Sequence, residues 1–297
     1  MRIPSSAIVA SSILLATLAT PLGTSASGRT DDRARRTAPR PIVIVWLENH
    51  TASQITRENA PHLTGMKAHG RSFANYHGVA SPSLPNYLAF ASGGTKGKGG
   101  TDSIQAGEIP GRTIWRQLAS AGISWGVYQE SMPRTCYRGV SATGANAGPY
   151  VLRHNPATPF ADIAHSTACQ RVEPLTSMPR RLPQVSFVTP SICNDMHGVS
   201  DASLGSSCRS GSTALIRRGD RWIGRHARAW RMRGALVLIT FDEGSGSLYT
   251  VEVGDGIHHS VIARRETHYS LLAGLERRYG LALLGRARSA RPLRLAP

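Results

Sequence analysis

Two continuous apolar runs, at residues 42–47 and 235–241, constrain the fold of this 297-residue chain more than any other feature. Unbroken apolar runs are typical of strands in parallel sheets, whose two faces are both covered by helices. Between and after these runs lie helical patterns at about 58–70, 112–121, 211–232 and 268–279, and weaker strands at 123–128 and 184–189. We therefore predict an α/β fold, a three-layer α/β/α sandwich with a mostly parallel central sheet.

The N-terminus has the pattern of a secretory signal peptide. Arg2 precedes an apolar stretch from Ala7 to Leu22, and small residues at 24–26 supply a cleavage site. A membrane anchor is the competing interpretation, but the apolar stretch is short and lacks a stop-transfer flank. We expect a secreted or extracytoplasmic protein with no transmembrane span in its mature chain. The predicted segments are a signal peptide over 1–26, a flexible leader over 27–40 and one catalytic domain over 41–297.

The four cysteines predict disulfide bonds, because an even number of cysteines is typical of an exported chain with a disulfide framework. Three pairings are possible. We predict pairing of neighbours, which joins Cys136 to Cys169 and Cys193 to Cys208. A zinc site is the alternative, but the chain has no CxxC motif and its cysteine spacings do not resemble a thiolate cage.

The chain is strongly basic, with 35 Lys and Arg residues against 18 Asp and Glu residues and a formal net charge of +17. This charge favours anionic partners. The arginines are scattered instead of being clustered with aromatic residues, and no nucleic-acid-binding module is evident, so we predict no specific nucleic-acid partner. We expect attraction of phosphate-bearing substrates and peripheral contact with anionic surfaces.

Carboxylates follow both of the strong strands. Glu48 and Asn49 follow the first, and Asp242 and Glu243 follow the second. Ligands of an open parallel sheet bind beyond the carboxyl ends of its strands, so we expect these side chains to converge. One such pair alone would more often be a turn or a helix cap, but two pairs favour a shared cation site. Oxygen ligands suit a hard divalent cation such as Mg²⁺, Mn²⁺ or Ca²⁺.

Ser83 is the candidate nucleophile. Pro85 occupies a position typical of a helix start, and residues 86–92 can continue that helix. Ser83 would then lie at a helix N-terminus, where backbone N–H groups and the helix dipole favour a phosphate or a serine alkoxide. The alternative is that Ser83 only caps the helix. No base is adjacent in the sequence, so we predict that the cation activates Ser83.

Further candidates lie elsewhere in the chain. Asp195 and His197 follow the weak strand at 184–189 and would bind the metal or protonate the leaving group. His268 begins the last predicted helix, where a lone histidine is more often structural. Arg153 and His154 are predicted to bind phosphate oxygens, although a surface turn explains them as well.

Eight short segments, in order, cover nearly all of residues 41–285. They are VWLENH at 45–50, NYH at 75–77, PSLPNY at 82–87, RHNP at 153–156, FVTP at 187–190, NDMH at 194–197, TFDEG at 240–244 and HYSLL at 268–272. In order and spread these segments resemble the phosphoesterase family that contains non-specific phospholipases C and secreted acid phosphatases, within the alkaline phosphatase-like superfamily.

The resemblance implies an alkaline phosphatase-like fold and metal-dependent hydrolysis of a phosphoric ester through a phosphoserine. Its implied roles are Glu48, Asn49, Asp242 and Glu243 as metal ligands, Ser83 as nucleophile, Asn86 as donor to a phosphate oxygen, and Asp195, His197 and His268 as further metal ligands or proton donors.

We predict an acid phosphatase-type phosphomonoesterase. The first alternative is a phospholipase C-type phosphodiesterase that acts on phospholipid head groups. The alternative from another class is a non-catalytic cationic protein that binds polyanions. A sulfatase is disfavoured, because the Cys-x-Pro-x-Arg setting of its formylglycine precursor is absent.

Overall fold

An eight-stranded sheet organises the chain. The structure, a computed structural model, describes Met1 and residues 39–141, 149–201 and 203–297. Residues 39–297 form one compact unit. The predicted signal peptide and nearly all of the predicted leader lie outside the described residues, so both stay predictions.

The strands are β1 (Ile42–Leu47), β2 (Arg71–His77), β3 (Trp125–Gln129), β4 (Val172–Pro174), β5 (Val185–Thr189), β6 (Leu236–Phe241), β7 (Val251–Val253) and β8 (Ser260–Thr267). Their order in the sheet is β4-β3-β5-β1-β6-β7-β2-β8. β7 is antiparallel to both of its neighbours, and the other pairings are parallel. The two apolar runs of the sequence are therefore adjacent strands, and Leu47 at the end of β1 lies opposite Phe241 at the end of β6.

Both faces of the central strands are covered. Every residue of β1 and of β6 is buried. Because successive side chains of a strand point to opposite faces of the sheet, complete burial requires packing on both sides. This confirms the predicted α/β sandwich with a mostly parallel sheet.

The helices are α1 (Pro61–His69), α2 (Ser83–Ser92), α3 (Ile114–Ser120), α4 (Ala161–Ala164), α5 (Thr213–Arg231) and α6 (His268–Arg278). α1 packs on α5, whereas α2 packs on α3 and α6. The Asp220 carboxylate of α5 accepts backbone N–H bonds of 3.1 and 2.8 Å from His62 and Leu63, which joins α5 to the first turn of α1. Within the described residues, no helix is long and apolar enough to cross a membrane.

An aromatic cluster fixes α2 against the sheet below the end of β1. The Trp46 ring lies 4.7 Å from Tyr87 and 5.6 Å from Phe90 of α2, and 5.5 Å from Phe187 of β5, measured between ring centroids. Such aromatic contacts add about 0.5–1.5 kcal/mol each beyond the burial of area. They hold the first turn of α2 next to the residue that follows β1.

Three strands on one side of the sheet, β2, β7 and β8, were not predicted. β8 lies at the sheet edge, and its residues alternate between exposed and partly buried, so its sequence SVIARRET lacks an apolar run. β7 is only three residues long. Helices predicted at 58–70, 112–121, 211–232 and 268–279 are present with slightly shorter bounds, because their outermost predicted residues form turns and caps.

The predicted disulfide pairing is confirmed. Cys136 is bonded to Cys169, and Cys193 is bonded to Cys208. The first bond joins the segment after β3 to the segment before β4. The second closes a loop that contains Asp195 and His197.

Candidate active site

The ends of β1 and β6 bring two predicted metal ligands together. Glu48 and Asp242 both follow their strands directly and are completely buried. The Asp242 backbone N–H donates to the Leu47 carbonyl at 3.0 Å, and Asp242 Oδ1 accepts the Asn49 backbone N–H at 3.0 Å. Asn49 has a positive φ of 59°, a left-handed conformation that asparagine tolerates better than most residues. The structure thus brings these two strand ends into direct contact.

Ser83 is the first residue of α2 and is buried against these carboxylates. Its Oγ donates to Glu48 Oε2 at 2.9 Å and lies 3.4 Å from Glu243 Oε1. The helix begins two residues earlier than Pro85 indicated, which the first turn allows because its N–H groups need no helical partner.

Ser83 does not cap this helix. Oδ1 of Asp102 accepts the Leu84 N–H at 2.9 Å, so a residue from a later loop supplies the cap. The alternative in which Ser83 is only a cap is therefore wrong. Its hydroxyl remains directed at the carboxylates of Glu48 and Glu243.

Asn86 fixes the loop that leads to Ser83. Its Oδ1 accepts the N–H groups of Val79 and Ala80 at 2.8 and 3.2 Å, and its Nδ2 donates to the carbonyls of Ala80 and Pro82 at 2.9 and 3.3 Å. Both amide hydrogens are therefore in use. The phosphate contact that we predicted for Asn86 would require one of these bonds to be replaced, and the contacts present favour a positioning role.

His154 lies at the centre of the site, not in a surface turn. Its Nε2 lies 3.3 Å from Glu48 Oε2, its Nδ1 lies 3.1 Å from Asp195 Oδ2, and all three side chains are buried. The Tyr87 ring stacks on the imidazole with the ring centroids 5.7 Å apart. Together, Glu48, His154 and Asp195 form a buried group that could hold a metal ion.

The site gathers several acidic side chains that are shielded from solvent. Burial, with repulsion from Asp242 and Asp195, raises the pKa of Glu48 well above its ordinary value. Burial likewise raises the pKa values of Asp195, Asp242 and Glu243. Buried carboxylates without compensating charge are unstable, and a bound cation removes that cost.

The residues present fit a hard divalent cation. Asp242 Oδ2 is buried and has no hydrogen-bond partner within the described part of the chain. It stands beside Glu48 and Glu243 in an oxygen-rich donor set of the kind that Mg²⁺, Mn²⁺ and Ca²⁺ prefer. Glu48 belongs both to this predicted set and to the group with His154 and Asp195.

His197 keeps one ring nitrogen for proton exchange. Its backbone N–H donates to Asp195 Oδ1 at 2.7 Å, and its Nδ1 donates to the Gly198 carbonyl at 2.8 Å. The tautomer that this bond requires leaves Nε2 as the basic nitrogen. Burial lowers the pKa of His197, so the neutral form is favoured near neutral pH.

His268 is placed behind the site. Its Nε2 donates to the Asp242 carbonyl at 2.5 Å, and its Nδ1 accepts the Tyr76 hydroxyl at 3.0 Å. Burial lowers its pKa to about 4. Both ring nitrogens are engaged and the ring is neutral, so these contacts support the structural alternative for His268 and not the predicted role in proton transfer.

Arg153 lies beside the N-terminus of α2. Its Nε is 3.6 Å from Asp102 Oδ2, the carboxylate that caps this helix. Asp102 therefore links the guanidinium to Leu84, the residue that follows Ser83.

Several supporting residues were not predicted. Tyr87 donates its hydroxyl hydrogen to Glu48 Oε1. Its position four residues after Ser83, one helical turn further along α2, was the available signal. Glu130 accepts hydrogen bonds from Ser191, Asn194 and Trp222 and so supports the loop that carries Asp195 and His197. Nothing in the sequence around Glu130 indicated that role.

A cleft of about 530 Å³ extends outward from Asn49 and Glu243. Its wall includes Ser81, just before the nucleophile, together with His77 of β2 and Arg265 of β8. Strands that were not predicted thus provide one side of the opening.

The sequence model of the Phosphoesterase family matches residues 44–254, which is more than half of the chain. The chain belongs to the phosphoesterase family. The matched range contains Glu48, Ser83, His154, Asp195 and Asp242, so the residues that converge in space lie within the family's shared sequence.

Two curated relatives of this phosphoesterase carry phosphatase names. The chain is 31% identical over 217 residues to the phosphatidylinositol-3-phosphatase of Mycobacterium tuberculosis, covering 69% of this chain and 64% of that protein. It is 30% identical over 216 residues to the phosphate-repressible acid phosphatase of Penicillium chrysogenum, covering 70% of this chain and 49% of that protein. The match thus spans less than two thirds of either relative's length.

Solved structures share the fold at low identity. A phosphonate monoester hydrolase from Silicibacter pomeroyi has a TM-score of 0.52 at 13% identity, over 87% of this chain and 78% of that chain. The lipoteichoic acid synthase LtaP from Listeria monocytogenes has a TM-score of 0.52 at 8% identity, over 83% of this chain and 73% of that chain. The fold of this phosphoesterase is the predicted alkaline phosphatase-like sandwich.

Proposed function

We propose that this phosphoesterase is a secreted, metal-dependent phosphomonoesterase of the acid phosphatase type that reacts through Ser83. The observation that carries the proposal is the 2.9 Å hydrogen bond from Ser83 Oγ to Glu48 within a cluster of buried carboxylates. The phosphatase names of the relatives support the same reaction class. The two disulfide bonds support export, because such bonds persist in oxidising compartments.

The chemistry begins with Ser83. Its Oγ attacks phosphorus in line with the ester oxygen, so that a bond from Oγ to phosphorus forms as the bond to the leaving oxygen breaks. The hydroxyl proton has a carboxylate acceptor at hand in Glu48 Oε2. The leaving alkoxide takes up a proton from solvent, and we propose that His197 Nε2, which carries no proton in the neutral ring, accepts a proton from the water that attacks the phosphoserine. Water then hydrolyses the phosphoserine, which releases inorganic phosphate and restores Ser83.

A cation held by Glu48, Asn49, Asp242 and Glu243, with Asp195 as a further ligand, would supply positive charge against the phosphoryl oxygens and the serine alkoxide. Arg153 is a cation of the chain itself beside the N-terminus of α2. Its guanidinium would bind a phosphoryl oxygen in place of its long 3.6 Å contact with Asp102. His154 would hold Glu48 and Asp195 in position from between them.

The test is turnover of a chromogenic phosphomonoester and of a phosphocholine diester by the mature protein, each with and without chelator. We expect monoester turnover that chelation abolishes and that Ser83→Ala lowers by at least about a thousandfold. Ser92→Ala is the matched control, since Ser92 lies buried at the far end of α2 and its Oγ donates to the Leu88 carbonyl.

Other outcomes separate the alternatives. Dominant diester turnover would replace the proposal with a phospholipase C-type activity. Undiminished monoester turnover by Ser83→Ala would remove Ser83 from the nucleophile role. Binding of polyanions that is sensitive to salt but not to chelation or Ser83→Ala, without turnover of either ester, would favour the non-catalytic alternative.

A further inference from the structure

The cleft beside the nucleophile has small, polar walls. Apart from its charged residues, it is lined by three glycines and by Asn49, His77, Ala80, Ser81 and Ser245. A side chain at Gly78 would place a Cβ 2.9 Å from the Asp242 carbonyl oxygen, so this wall stays close to the end of β6 only with glycine. Because large apolar side chains are not among its lining residues, the cleft is poorly suited to an acyl chain.

Arg265 is the one arginine or lysine among the described residues that line this cleft. It is exposed and has no ion-pair partner within the described part of the chain. Its neighbour Arg264 is different, since the Arg264 guanidinium donates to Glu266 and to the Pro292 carbonyl. The Arg264 guanidinium is thus engaged in contacts within the fold, whereas the Arg265 guanidinium is available to bind a ligand.

An irregularity in β8 sets the direction of Arg265. Phe73 of β2 lies opposite Ile262, but Asn75 lies opposite Arg265, so β8 contains one residue more than β2 between these pairs. Bulges of this kind re-aim side chains and are frequent beside active sites. Arg265 reaches the cleft next to His77, whose Nε2 is hydrogen-bonded to Asn75 Oδ1 at 2.7 Å.

We propose that Arg265 binds a second anionic group, carried by the leaving part of the substrate, and thereby selects polar phosphomonoesters that bear a further carboxylate or phosphate. This inference rests on the proposed function. Glu243 lines the cleft and its Oε1 lies 3.4 Å from Ser83 Oγ, so the reacting phosphoryl group would lie at the Glu243 side of the cleft. Since Arg265 lines the same cleft, it faces what lies beyond the ester oxygen, and a guanidinium matches carboxylate and phosphate oxygens in a bidentate geometry.

The experiment compares phosphoglycerate with glycerol phosphate, which differ by a carboxylate in place of a hydroxymethyl group. We expect wild type to have the higher kcat/KM for phosphoglycerate. Arg265→Gln should lower kcat/KM for phosphoglycerate about tenfold more than for glycerol phosphate, as loss of one charged hydrogen-bonded pair implies. Arg265→Lys should restore part of the difference. Arg277→Gln, an exposed arginine of α6, is the control and should change neither.

A binding measurement removes the dependence on turnover. Calorimetric titration of Ser83→Ala protein with phosphoglycerate should give an affinity that the added Arg265→Gln substitution weakens by about the same factor. An equal loss for both compounds, or no loss for either, would overturn the proposal while leaving the phosphatase function intact. Absence of turnover of any phosphomonoester would instead defeat the proposed function and this inference with it.

The second anionic group could belong to a soluble metabolite or to a lipid head group. Soluble inositol bisphosphate and vesicles that contain phosphatidylinositol phosphate distinguish these sources. If Arg265→Gln slows hydrolysis of one of these two substrates, the proposal is supported and that substrate identifies the source of the second anionic group. Insensitivity with both contradicts it.

Discussion

Tyr87 donates a hydrogen bond to one carboxylate oxygen of Glu48 while Ser83 donates to the other. Both donors lie on α2, one turn apart, so one helix face orients the carboxylate that ends β1. The Tyr87 bond also opposes the rise that burial produces in the pKa of Glu48. The position and ionisation of Glu48 therefore depend on a residue that does not touch the substrate in our proposal.

Tyr87→Phe should weaken both cation binding and turnover. A residue that holds a metal ligand in place by a hydrogen bond typically contributes about 10–100-fold to metal affinity or activity. The ring remains to pack on Trp46 and His154, so we expect the variant to fold. Calorimetric titration with Mn²⁺ and measurement of kcat/KM would check this.

Tyr249→Phe is the matched control for Tyr87→Phe. Tyr249 is also buried and donates to the Leu63 carbonyl at 2.6 Å, away from the site. Tyr249→Phe should lower the free energy of unfolding by about 1 kcal/mol and leave kcat/KM unchanged. Equal effects of the two substitutions on activity would show that the Tyr87 bond to Glu48 has no specific role.

Asp242→Asn should separate metal binding from folding. Without cation, we expect the variant to unfold at a higher temperature than wild type, because one of several mutually repelling buried carboxylates is removed while Oδ1 can still accept the Asn49 N–H. Added cation should stabilise wild type, by about 2.7 kcal/mol at a hundredfold excess over Kd, and should stabilise the variant far less.

Thermal unfolding with and without Mn²⁺ after chelation measures both effects of Asp242→Asn. Asp255→Asn, which changes an exposed carboxylate, is the control. A cation-dependent rise in melting temperature that is the same in Asp242→Asn and wild type would exclude Asp242 as a ligand.

The two disulfides should differ in what their removal does. Cys193 and Cys208 are 15 residues apart, and the loop that their bond closes contains Asp195 and His197. Replacing both cysteines with alanine should therefore lower activity as well as stability. Replacing Cys136 and Cys169, which are separated by 33 residues, should mainly lower stability. Each loss is expected to be about 3–4 kcal/mol.

Denaturant unfolding and kcat/KM of the two double variants, measured where both remain folded, test this difference. The assignment of a site-supporting role to Cys193–Cys208 would be wrong if both variants kept the same activity per folded molecule.

Glu276 should make folding stability depend on pH. Burial raises its pKa from an ordinary 4.5 to about 8. Between these values the unfolded chain loses the proton and the folded chain retains it, so stability falls as pH rises through this window and levels off above it. Below this window Glu276 is protonated in both the folded and the unfolded state, and its contribution to the free energy of unfolding is fully present.

Glu276→Gln should flatten this part of the pH profile. The amide oxygen can still accept the Leu284 N–H, which Glu276 Oε1 accepts at 2.9 Å. Melting temperatures at about pH 5 and about pH 8 should therefore differ less in Glu276→Gln than in wild type. Glu58→Gln, at an exposed position, should resemble wild type. A Glu276→Gln profile parallel to that of wild type would contradict the raised pKa.

Much of the fold was predictable because its signals are local. The apolar runs that form β1 and β6 can be recognised from their composition. Because these strands are parallel, the residues that follow them lie at the same edge of the sheet. The helix start near Ser83 also follows from neighbouring residues. The edge strand β8 was missed, because a half-exposed strand carries charged residues and no continuous apolar pattern.

The sequence by itself determined the α/β class and the chemical types of the residues at the strand ends, and it limited the four cysteines to three possible pairings. Tertiary structure alone decided how those residues are used. It placed His154 between Glu48 and Asp195, gave both ring nitrogens of His268 to backbone and tyrosine partners, and turned Arg265 toward the cleft. These outcomes depend on contacts between residues far apart in the chain, whose partners are fixed only when the sheet and its helices pack together.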